Sequence, residues 1–237
     1  MDGTVKMVTK FLEYAETLGI IDRIAALFKK PCTCLVLGSS GVGKTSFLNS
    51  IQRESAEFVS TLNRTLVNRF KKLKVDGEIF LFIDTPGHLD YTVQRNEAYR
   101  EAIRANRLIV LNLVAFGFHE TDWYGIEPIS EGQINSKFLI DRRQKEMRAV
   151  KEWLGQLSRL AGHNPIISIA TKADLWWDWE QAVRSFYMSG PYARLISESK
   201  MPHAVQVYSS HIKKFYGHGG VSSDFDEGIR RQLRTAL

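Results

Sequence analysis

The chain has 237 residues and a formal net charge of +6, with 44% hydrophobic and 24% charged residues. This balance is typical of a soluble globular protein with one large core, and it excludes disordered and fibrous chains. No apolar stretch reaches the roughly 18 residues that a membrane-spanning helix needs, and residues 1–4 do not open a secretory signal. We therefore expect a cytoplasmic protein without a transmembrane segment.

Apolar residues recur at helical spacing through residues 4–29, where Gly19 separates two predicted helices and Pro31 ends the second. We expect residues 1–30 to form a helical extension and residues 31–237 to form the main domain. The extension either packs on that domain or offers a helix to a partner or a membrane surface. Its polar face is not strongly basic, which favours packing.

Cys32 and Cys34 are the only cysteines, and they lie two positions apart at the start of a predicted strand. Their side chains are therefore expected on the same face of that strand. No third cysteine is available to complete a thiolate metal site, so the pattern favours two buried thiols over metal ligands. Two free thiols also fit a reducing cytoplasm.

Residues 38–45 read Gly-Ser-Ser-Gly-Val-Gly-Lys-Thr, a complete G-x-x-x-x-G-K-[ST] phosphate loop. An apolar strand-like run precedes it and a helical pattern follows it, which is the context that this motif requires. The glycines let backbone N–H groups point at phosphate oxygens, Lys44 reaches the β- and γ-phosphates, and the Thr45 hydroxyl ligates Mg²⁺. The predicted nucleotide-binding residues of this loop are Ser39, Ser40, Gly41, Val42, Gly43, Lys44, Thr45 and Ser46.

Residues 65–84 are predicted to form a β-hairpin that turns at residues 75–78 and returns through a buried strand at residues 79–83. This strand runs into Asp84, whose carboxylate is placed to hold Mg²⁺ opposite Thr45, directly or through water. The N–H of Gly87, three residues later, is placed to meet a γ-phosphate. Thr-Pro-Gly between them indicates a tight turn.

Residues 171–174 read Thr-Lys-Ala-Asp and follow a predicted buried strand at residues 166–170. A carboxylate at Asp174 can accept both N1–H and N2–H₂ of guanine, a donor pair that adenine lacks. The alkyl stem of Lys172 can lie across the base plane. Ser209 and Ser210 follow a further strand at residues 204–208, where backbone N–H groups can receive guanine O6.

The remaining elements are a helix at 91–104, a strand at 108–115, a loop at 117–137, a helix at 138–160 and a capped last helix from about residue 223. Strands alternating with helices predict an α/β domain with a parallel sheet and right-handed crossovers.

The order phosphate loop, Asp-Thr-Pro-Gly, Thr-Lys-Ala-Asp and Ser-Ser resembles the translation-factor-related class of P-loop GTPases, over about residues 32–235. The resemblance implies a three-layer P-loop NTPase G domain whose mainly parallel sheet has one antiparallel edge strand. It also implies GTP or GDP as the bound nucleotide, with Mg²⁺. Thr171 stands where the fourth motif usually has Asn, so the strength of guanine preference is left open.

Residues 84–91 look like the Asp-x-Pro-Gly-His-x-Asp of translation elongation factors. By that resemblance His88 orients the water that attacks the γ-phosphate, and a threonine of the first switch completes the Mg²⁺ shell. Thr61 and Thr65 both qualify, and the spacing to Asp84 favours Thr65. The implied catalytic residues are His88, Lys44 and Thr65, and the implied metal ligands are Thr45, Thr65 and Asp84.

The sequence leaves open what supplies the extra positive charge that activates hydrolysis. The three alternatives are a protein partner, dimerisation and an arginine of the same chain. Ser40 occupies a position that is Gly in Ras-like enzymes, and its side chain would crowd an arginine entering from a partner. Arg64, beside the candidate switch threonine, is an alternative source of positive charge within the chain.

Two segments bear on partners. Residues 64–74 carry five basic side chains and no acid, which suits nucleic acid, a ribosome or anionic lipid. Basic side chains on an edge strand also protect the sheet against edge-to-edge pairing, and we favour that interpretation. The loop at 117–137 contains Trp123 and Tyr124, which either anchor a protein effector or a second copy of the chain, or pack on the domain itself.

The sequence therefore predicts an Mg²⁺-dependent GTPase switch. Two alternatives remain: a guanine-nucleotide-binding scaffold with little hydrolysis, and a P-loop phosphotransferase that uses ATP. Asp174 argues against the second alternative.

Overall fold

The structure is a computed structural model that describes residues 31–51, 69–75, 78–87, 92–118, 129–130, 133–134, 136–157, 164–211, 214–216 and 222–237. The predicted helical extension at 1–30 lies outside these residues. So do Thr61, Arg64 and Thr65 of the first switch, His88, and the aromatic pair at 123–124. The predictions made for them stay predictions.

The sheet has six strands, namely β1 (Cys32–Leu37), β2 (Arg69–Val75), β3 (Glu78–Asp84), β4 (Leu108–Val114), β7 (Ile166–Ala170) and β8 (His203–Val207), in the order β2-β3-β1-β4-β7-β8. Only the β2–β3 pair is antiparallel among these strands, and β2 lies at the edge. The predicted α/β fold with one antiparallel edge strand is confirmed.

Helices connect and flank the strands. They are α1 (Lys44–Ile51), α2 (Thr92–Ile103), α3 (Ser136–Leu157), α4 (Ala173–Trp176), α5 (Glu180–Met188), α6 (Pro191–Ser197) and α7 (Phe225–Thr235), with a 3₁₀ turn at Trp177–Trp179. None of the helices in the described part of the chain is long and apolar enough to cross a membrane.

The central strands are buried on both faces. Every residue of β1 and of β4 is buried, as expected of unbroken apolar runs in the middle of a parallel sheet. Strand β2 alternates instead, with Leu73 and Val75 buried and Lys72 and Lys74 exposed, as suits an edge. Cys32 and Cys34 are free buried thiols, as predicted.

Three parts of the chain differ from the sequence expectations. The predicted loop at 117–137 contains a short hairpin of β5 (Ile129–Ser130) and β6 (Gln133–Ile134), and α3 already begins at Ser136. A second hairpin pairs β9 (Lys214–Tyr216) with β10 (Ser222–Asp224). Helices α4 to α6 fill a stretch to which no element was assigned. Strands of two or three residues are too short to show an alternating pattern.

A polar network lies inside the core where β4, β7 and β8 meet α6. The Tyr192 hydroxyl is 2.7 Å from the Asn112 amide nitrogen and 2.6 Å from Ser168 Oγ. Ser168 Oγ also lies 2.9 Å from His203 Nε2. Burial lowers the pKa of His203 to about 4, so this imidazole is neutral in the folded protein at neutral pH.

This histidine should make the protein sensitive to acid. Below pH 6.5 the unfolded chain protonates His203 while the folded protein does not until about pH 4, so its stabilising contribution is lost as the pH falls through that window. We expect His203→Gln to remove a pH dependence of about 3 kcal/mol in the free energy of unfolding. Chemical denaturation between pH 4 and pH 7 measures it.

The control is His211→Gln, which changes an exposed histidine outside the buried network and should leave the contribution of His203 in place. Other buried groups titrate in the same window, so the quantity to compare is the difference between variant and wild type at each pH. A pH-independent difference would contradict the assignment.

Candidate functional site

The phosphate loop leaves the carboxyl end of β1 and turns sharply against β4. Gly38 has φ +141°, and a Cβ at this position would lie 2.5 Å from the carbonyl oxygen of Leu113. No larger residue fits there without moving the backbone of β4. The loop is thus seated on the end of the central strand before α1 begins at Lys44.

Lys44 lies inside this loop and holds it. Its Nζ donates to the carbonyl oxygens of Gly38 at 2.8 Å and Ser39 at 3.1 Å. Burial lowers the pKa of Lys44 from 10.5 to about 8, while the charge of Asp84 opposes that shift and the charge of Arg95 adds to it. A nearby polyanion would favour the charged form, so the loop is suited to a phosphate.

Thr45 and Asp84 bring two hard oxygen donors together. Thr45 Oγ1 is 3.3 Å from Asp84 Oδ2, and Asp84 is fully buried at the carboxyl end of β3. The Thr85 hydroxyl donates to the Val36 carbonyl at 2.7 Å, which fixes the turn that follows Asp84. A hydroxyl and a carboxylate are ligands that Mg²⁺ prefers, so this pair fits the metal that the resemblance implies.

Gly87 approaches the phosphate loop closely. A Cβ built on it would lie 2.4 Å from Lys44 Nζ and 2.7 Å from the Ser40 nitrogen. A larger residue would have to displace backbone atoms of Ser39 and Ser40, so glycine suits this contact. The Gly87 backbone therefore lies among the predicted phosphate-binding groups, as the sequence pattern suggested.

Thr171 ties the fourth motif to the phosphate loop. It is 2% exposed, and its hydroxyl lies 2.7 Å from the Val42 carbonyl and 3.0 Å from the Val114 carbonyl. The Thr171 hydroxyl therefore serves as a link between loops rather than as a contact to a base. It connects the two halves of the site.

Asp174 and Ser209 lie together on the other side of the site. Ser209 Oγ donates to Asp174 Oδ1 at 2.6 Å, and the Ala173 N–H donates to the Tyr208 carbonyl at 3.1 Å. These contacts join the fourth motif to the segment after β8. Lys172 has a left-handed backbone, φ +58°, and its Nζ donates to the Phe118 carbonyl at 2.8 Å.

The structure thus places most of the predicted site residues at one edge of the sheet, where β1, β3, β7 and β8 end. Lys44 is buried, Ser46 is half-buried in the first turn of α1, and Ser210 is half-buried beside Ser209. The residues found at this edge are Ser39, Ser40, Gly41, Val42, Gly43, Lys44, Thr45, Ser46, Asp84, Gly87, Thr171, Lys172, Asp174, Ser209 and Ser210.

Several supporting residues were not found from the sequence. The Trp176 indole donates to the Thr171 carbonyl at 2.8 Å. The Tyr208 hydroxyl lies 2.8 Å from Ser50 Oγ and 2.8 Å from Asp226 Oδ1. Glu146 is 2% exposed and faces the turn after β4. The sequence offers one indication of this residue. Glu146 lies on the same face of α3 as the buried Leu139 and Val150, where an apolar residue is expected.

A phosphate loop, a Thr–Asp pair whose oxygens fit Mg²⁺ and a carboxylate in Thr-Lys-Ala-Asp lie at one edge of a mainly parallel sheet, as in the P-loop GTPase class. Comparison with known sequences agrees. Residues 33–172, more than half of the chain, match the family described as 50S ribosome-binding GTPase. The chain therefore belongs to this family of P-loop GTPases, within the translation-factor-related class.

Individual relatives are distant. The chain is 28% identical over 159 residues to GTPase Era of Mycoplasmopsis agalactiae, a match that covers 61% of this chain and 52% of that protein. It is 33% identical over 94 residues to translation initiation factor IF-2 of Brucella anthropi, covering 39% of this chain and 10% of that one. The chain thus spans about half of the first relative and a tenth of the second.

Solved structures share the fold. Translation elongation factor SelB of Methanococcus maripaludis, in complex with the GTP analogue GppNHp, has a TM-score of 0.50 at 16% identity, covering 88% of this chain and 34% of that one. The small GTPase Arl6 of Trypanosoma brucei, with bound GppNp, has a TM-score of 0.51 at 14% identity, covering 87% and 98%.

The buried ammonium of Lys44 should oppose folding while it promotes nucleotide binding. Lowering its pKa from 10.5 to about 8 corresponds to about 3 kcal/mol at pH 7, offset by about 1 kcal/mol for each hydrogen bond to Gly38 and Ser39. We expect Lys44→Met to raise the free energy of unfolding of the nucleotide-free protein by about 1 kcal/mol. GDP affinity should fall roughly 100-fold.

Chemical denaturation and fluorescent GDP titration measure both effects, and Lys145→Met, at an exposed lysine of α3, is the control. The pH dependence adds a second readout. Between pH 8 and pH 10.5 the unfolded chain keeps the Lys44 proton that the folded protein releases, so wild-type stability should rise there and the variant should lack that rise. A destabilised variant that binds GDP normally would contradict the assignment.

Proposed function

We propose that this protein is a GTP-binding and GTP-hydrolysing molecular switch that works with Mg²⁺ and cycles between GTP and GDP states to control a partner. The observation that carries the proposal is the Thr171 link between the phosphate loop and the Thr-Lys-Ala-Asp motif. This link holds the two motifs at one edge of the sheet, which supports the proposal that a single nucleotide contacts both.

Different residues of the chain bind the phosphates, the Mg²⁺ ion and the guanine base. Lys44 and the N–H groups of residues 39–46 bind the phosphates, and the N–H of Gly87 meets the γ-phosphate. Thr45, Asp84 and Thr65 hold Mg²⁺, which when bound neutralises charge on the phosphate oxygens. Asp174 accepts the guanine donors, with Lys172 across the base and the loop at Ser209 and Ser210 near O6.

Hydrolysis asks mainly for positioning of the attacking water. We assign this role to His88, which follows Gly87 directly and so begins one residue after the proposed γ-phosphate contact. Gly87 is seated against Ser40 and Lys44, so a γ-phosphate that enters this contact acts directly on the segment that carries His88. This coupling is how we expect the nucleotide state to reach a partner.

The test is His88→Ala in single-turnover GTP hydrolysis. We expect phosphate release to fall about 100-fold while binding of a non-hydrolysable GTP analogue changes little, because His88 touches the water rather than the nucleotide. Thr65→Ala should lower the Mg²⁺ dependence of GTP binding, whereas Thr61→Ala should not.

Two outcomes would replace the proposal. Wild-type protein that releases no phosphate even with its partner would indicate a guanine-nucleotide-binding scaffold. ATP that displaces bound GDP as well as GTP does would indicate a phosphotransferase.

A ribosome or its RNA is a partner class to test, because the family description and the name of the initiation factor relative both point there. Lys72 and Lys74 are exposed on the edge strand β2. Anionic RNA would be attracted to them. Lysines on an edge strand also oppose pairing with the sheet edge of another molecule, and we consider this their main role. A cytoplasmic location, consistent with two free cysteines, is part of the proposal.

The two roles of β2 are separable with Lys72→Gln and Lys74→Gln together. Edge protection predicts that this variant self-associates at concentrations where the wild type stays monomeric, as measured by light scattering. RNA binding predicts instead a weaker cosedimentation with ribosomes and a smaller salt dependence. Lys137→Gln with Lys145→Gln, two exposed lysines on α3, removes the same charge elsewhere and serves as the control.

A further inference from the structure

The turn that follows β4 has an unusual backbone. Phe116 has φ +50° and Gly117 has φ +92°, and the Phe118 N–H closes the turn on the Ala115 carbonyl at 2.8 Å. A left-handed conformation at a bulky residue such as Phe116 costs about 1–2 kcal/mol, so other contacts must hold it.

Two buried side chains supply those contacts. Glu146 Oε2 accepts the Ala115 N–H at 3.1 Å, and the Glu146 carboxylate also accepts the Gly117 N–H. The Tyr187 hydroxyl accepts the Phe116 N–H at 2.7 Å and donates to Glu146 Oε1 at 2.5 Å. Three consecutive N–H groups are therefore held by one Glu–Tyr pair, contributed by α3 and α5.

Burial and polar contacts act on the Glu146 carboxylate in opposite directions. Burial raises the pKa of Glu146 to about 7, although the Tyr187 hydroxyl, the two backbone N–H groups and the charge of Arg143 all oppose that shift. The Arg143 guanidinium lies 4.4 Å from the centre of the Phe116 ring and so also packs on the turn. Of the other titratable groups nearby, Tyr192 is close enough for the charge of Glu146 to raise the pKa of its hydroxyl.

The turn ends at the proposed base-binding lysine. The Phe118 carbonyl accepts a hydrogen bond of 2.8 Å from Lys172 Nζ. The ammonium of Lys172 can be placed by this carbonyl only if the carbonyl itself is fixed. The Glu–Tyr pair holds the N–H groups of the three residues that directly precede Phe118.

We propose that Glu146 and Tyr187 are positioning residues for nucleotide binding, which set Lys172 against the guanine base by holding the turn at residues 115–118. The inference rests on the proposed function, because it assumes that Lys172 contacts the base. Neither side chain touches the nucleotide. Their effect passes through one carbonyl, that of Phe118.

The variants are Glu146→Gln, which keeps the shape and removes the charge, and Tyr187→Phe, which removes only the hydroxyl. We expect each to weaken GDP binding roughly tenfold by equilibrium fluorescence, about the loss of one charge-assisted hydrogen bond. Asp141→Asn removes a carboxylate from an exposed position of the same helix and should bind as the wild type does.

A double-mutant cycle separates positioning from general stability. In a Lys172→Met background there is no ammonium for the Phe118 carbonyl to place. Glu146→Gln and Tyr187→Phe should then change GDP affinity less than about twofold. An undiminished loss in that background would overturn the inference, and so would wild-type affinity in both single variants.

The pH dependence gives an independent readout. Below pH 7 Glu146 takes up a proton and no longer accepts all three of its donors, so the affinities of wild type and Glu146→Gln should converge in acid and separate above pH 7. A ratio of affinities that is constant from pH 5.5 to pH 8 would count against it. Taking the ratio cancels the ionisation of the nucleotide's own phosphates.

Two results keep the proposals apart. Wild-type protein that fails to bind GDP refutes the proposed function, and the inference with it. Wild-type protein that binds GDP while the variants are indistinguishable from it refutes the inference alone. Far-ultraviolet circular dichroism checks folding, and if Glu146→Gln does not fold, Tyr187→Phe and its cycle with Lys172→Met decide the question.

Discussion

The site depends on one buried hydroxyl, that of Thr171. It reaches the Val42 carbonyl in the phosphate loop and lies beside the Val114 carbonyl at the end of β4, while its own N–H donates to Val114. The Trp176 indole closes over the Thr171 carbonyl. Since these contacts are buried, breaking any of them leaves an unpaired polar group in the core. These contacts therefore tie the phosphate loop and the Thr-Lys-Ala-Asp segment to each other and to the end of β4. Thr171 stands where the fourth motif usually has Asn, and its short side chain reaches the Val42 carbonyl.

The phosphate loop and its surroundings contain two charged side chains whose burial opposes folding. Lys44 is buried with its ammonium turned onto the Gly38 and Ser39 carbonyls, and Asp84 is buried at the end of β3. Opposite charges in a low-dielectric interior offset each other only in part, so burial of this pair opposes folding. The proposed nucleotide and Mg²⁺ would each supply a compensating charge. Gly87, packed against the same lysine, connects this end of the site to the segment that carries His88.

The parts of the site that follow from local patterns were predictable. Apolar runs identified β1 and β3, and the carboxyl ends of parallel strands lie at one edge of the sheet, so Thr45 and Asp84 were expected to lie close together. The hairpins β5–β6 and β9–β10 were missed because their strands are too short for a period to emerge. Glu146 and Tyr187 were missed for a different reason. They meet Ala115 and Phe116 across 31 and 71 residues of sequence, and no spacing rule joins a helix carboxylate to a turn at that separation.

Glu146 and Lys44 fulfil the same physical task with opposite charges. Each is buried and each orders a loop through backbone hydrogen bonds, the lysine by donating to carbonyls and the glutamate by accepting from N–H groups. Burial moves the pKa of each toward neutrality, to about 8 for Lys44 and to about 7 for Glu146. The two groups therefore lose their charge in opposite directions of pH, Lys44 as the pH rises and Glu146 as the pH falls. On the proposed function a bound polyphosphate would favour the charged form of Lys44, because the anion lies beside the ammonium. Guanine is neutral, so the proposed base contact through Lys172 would leave the charge of Glu146 to the fold alone.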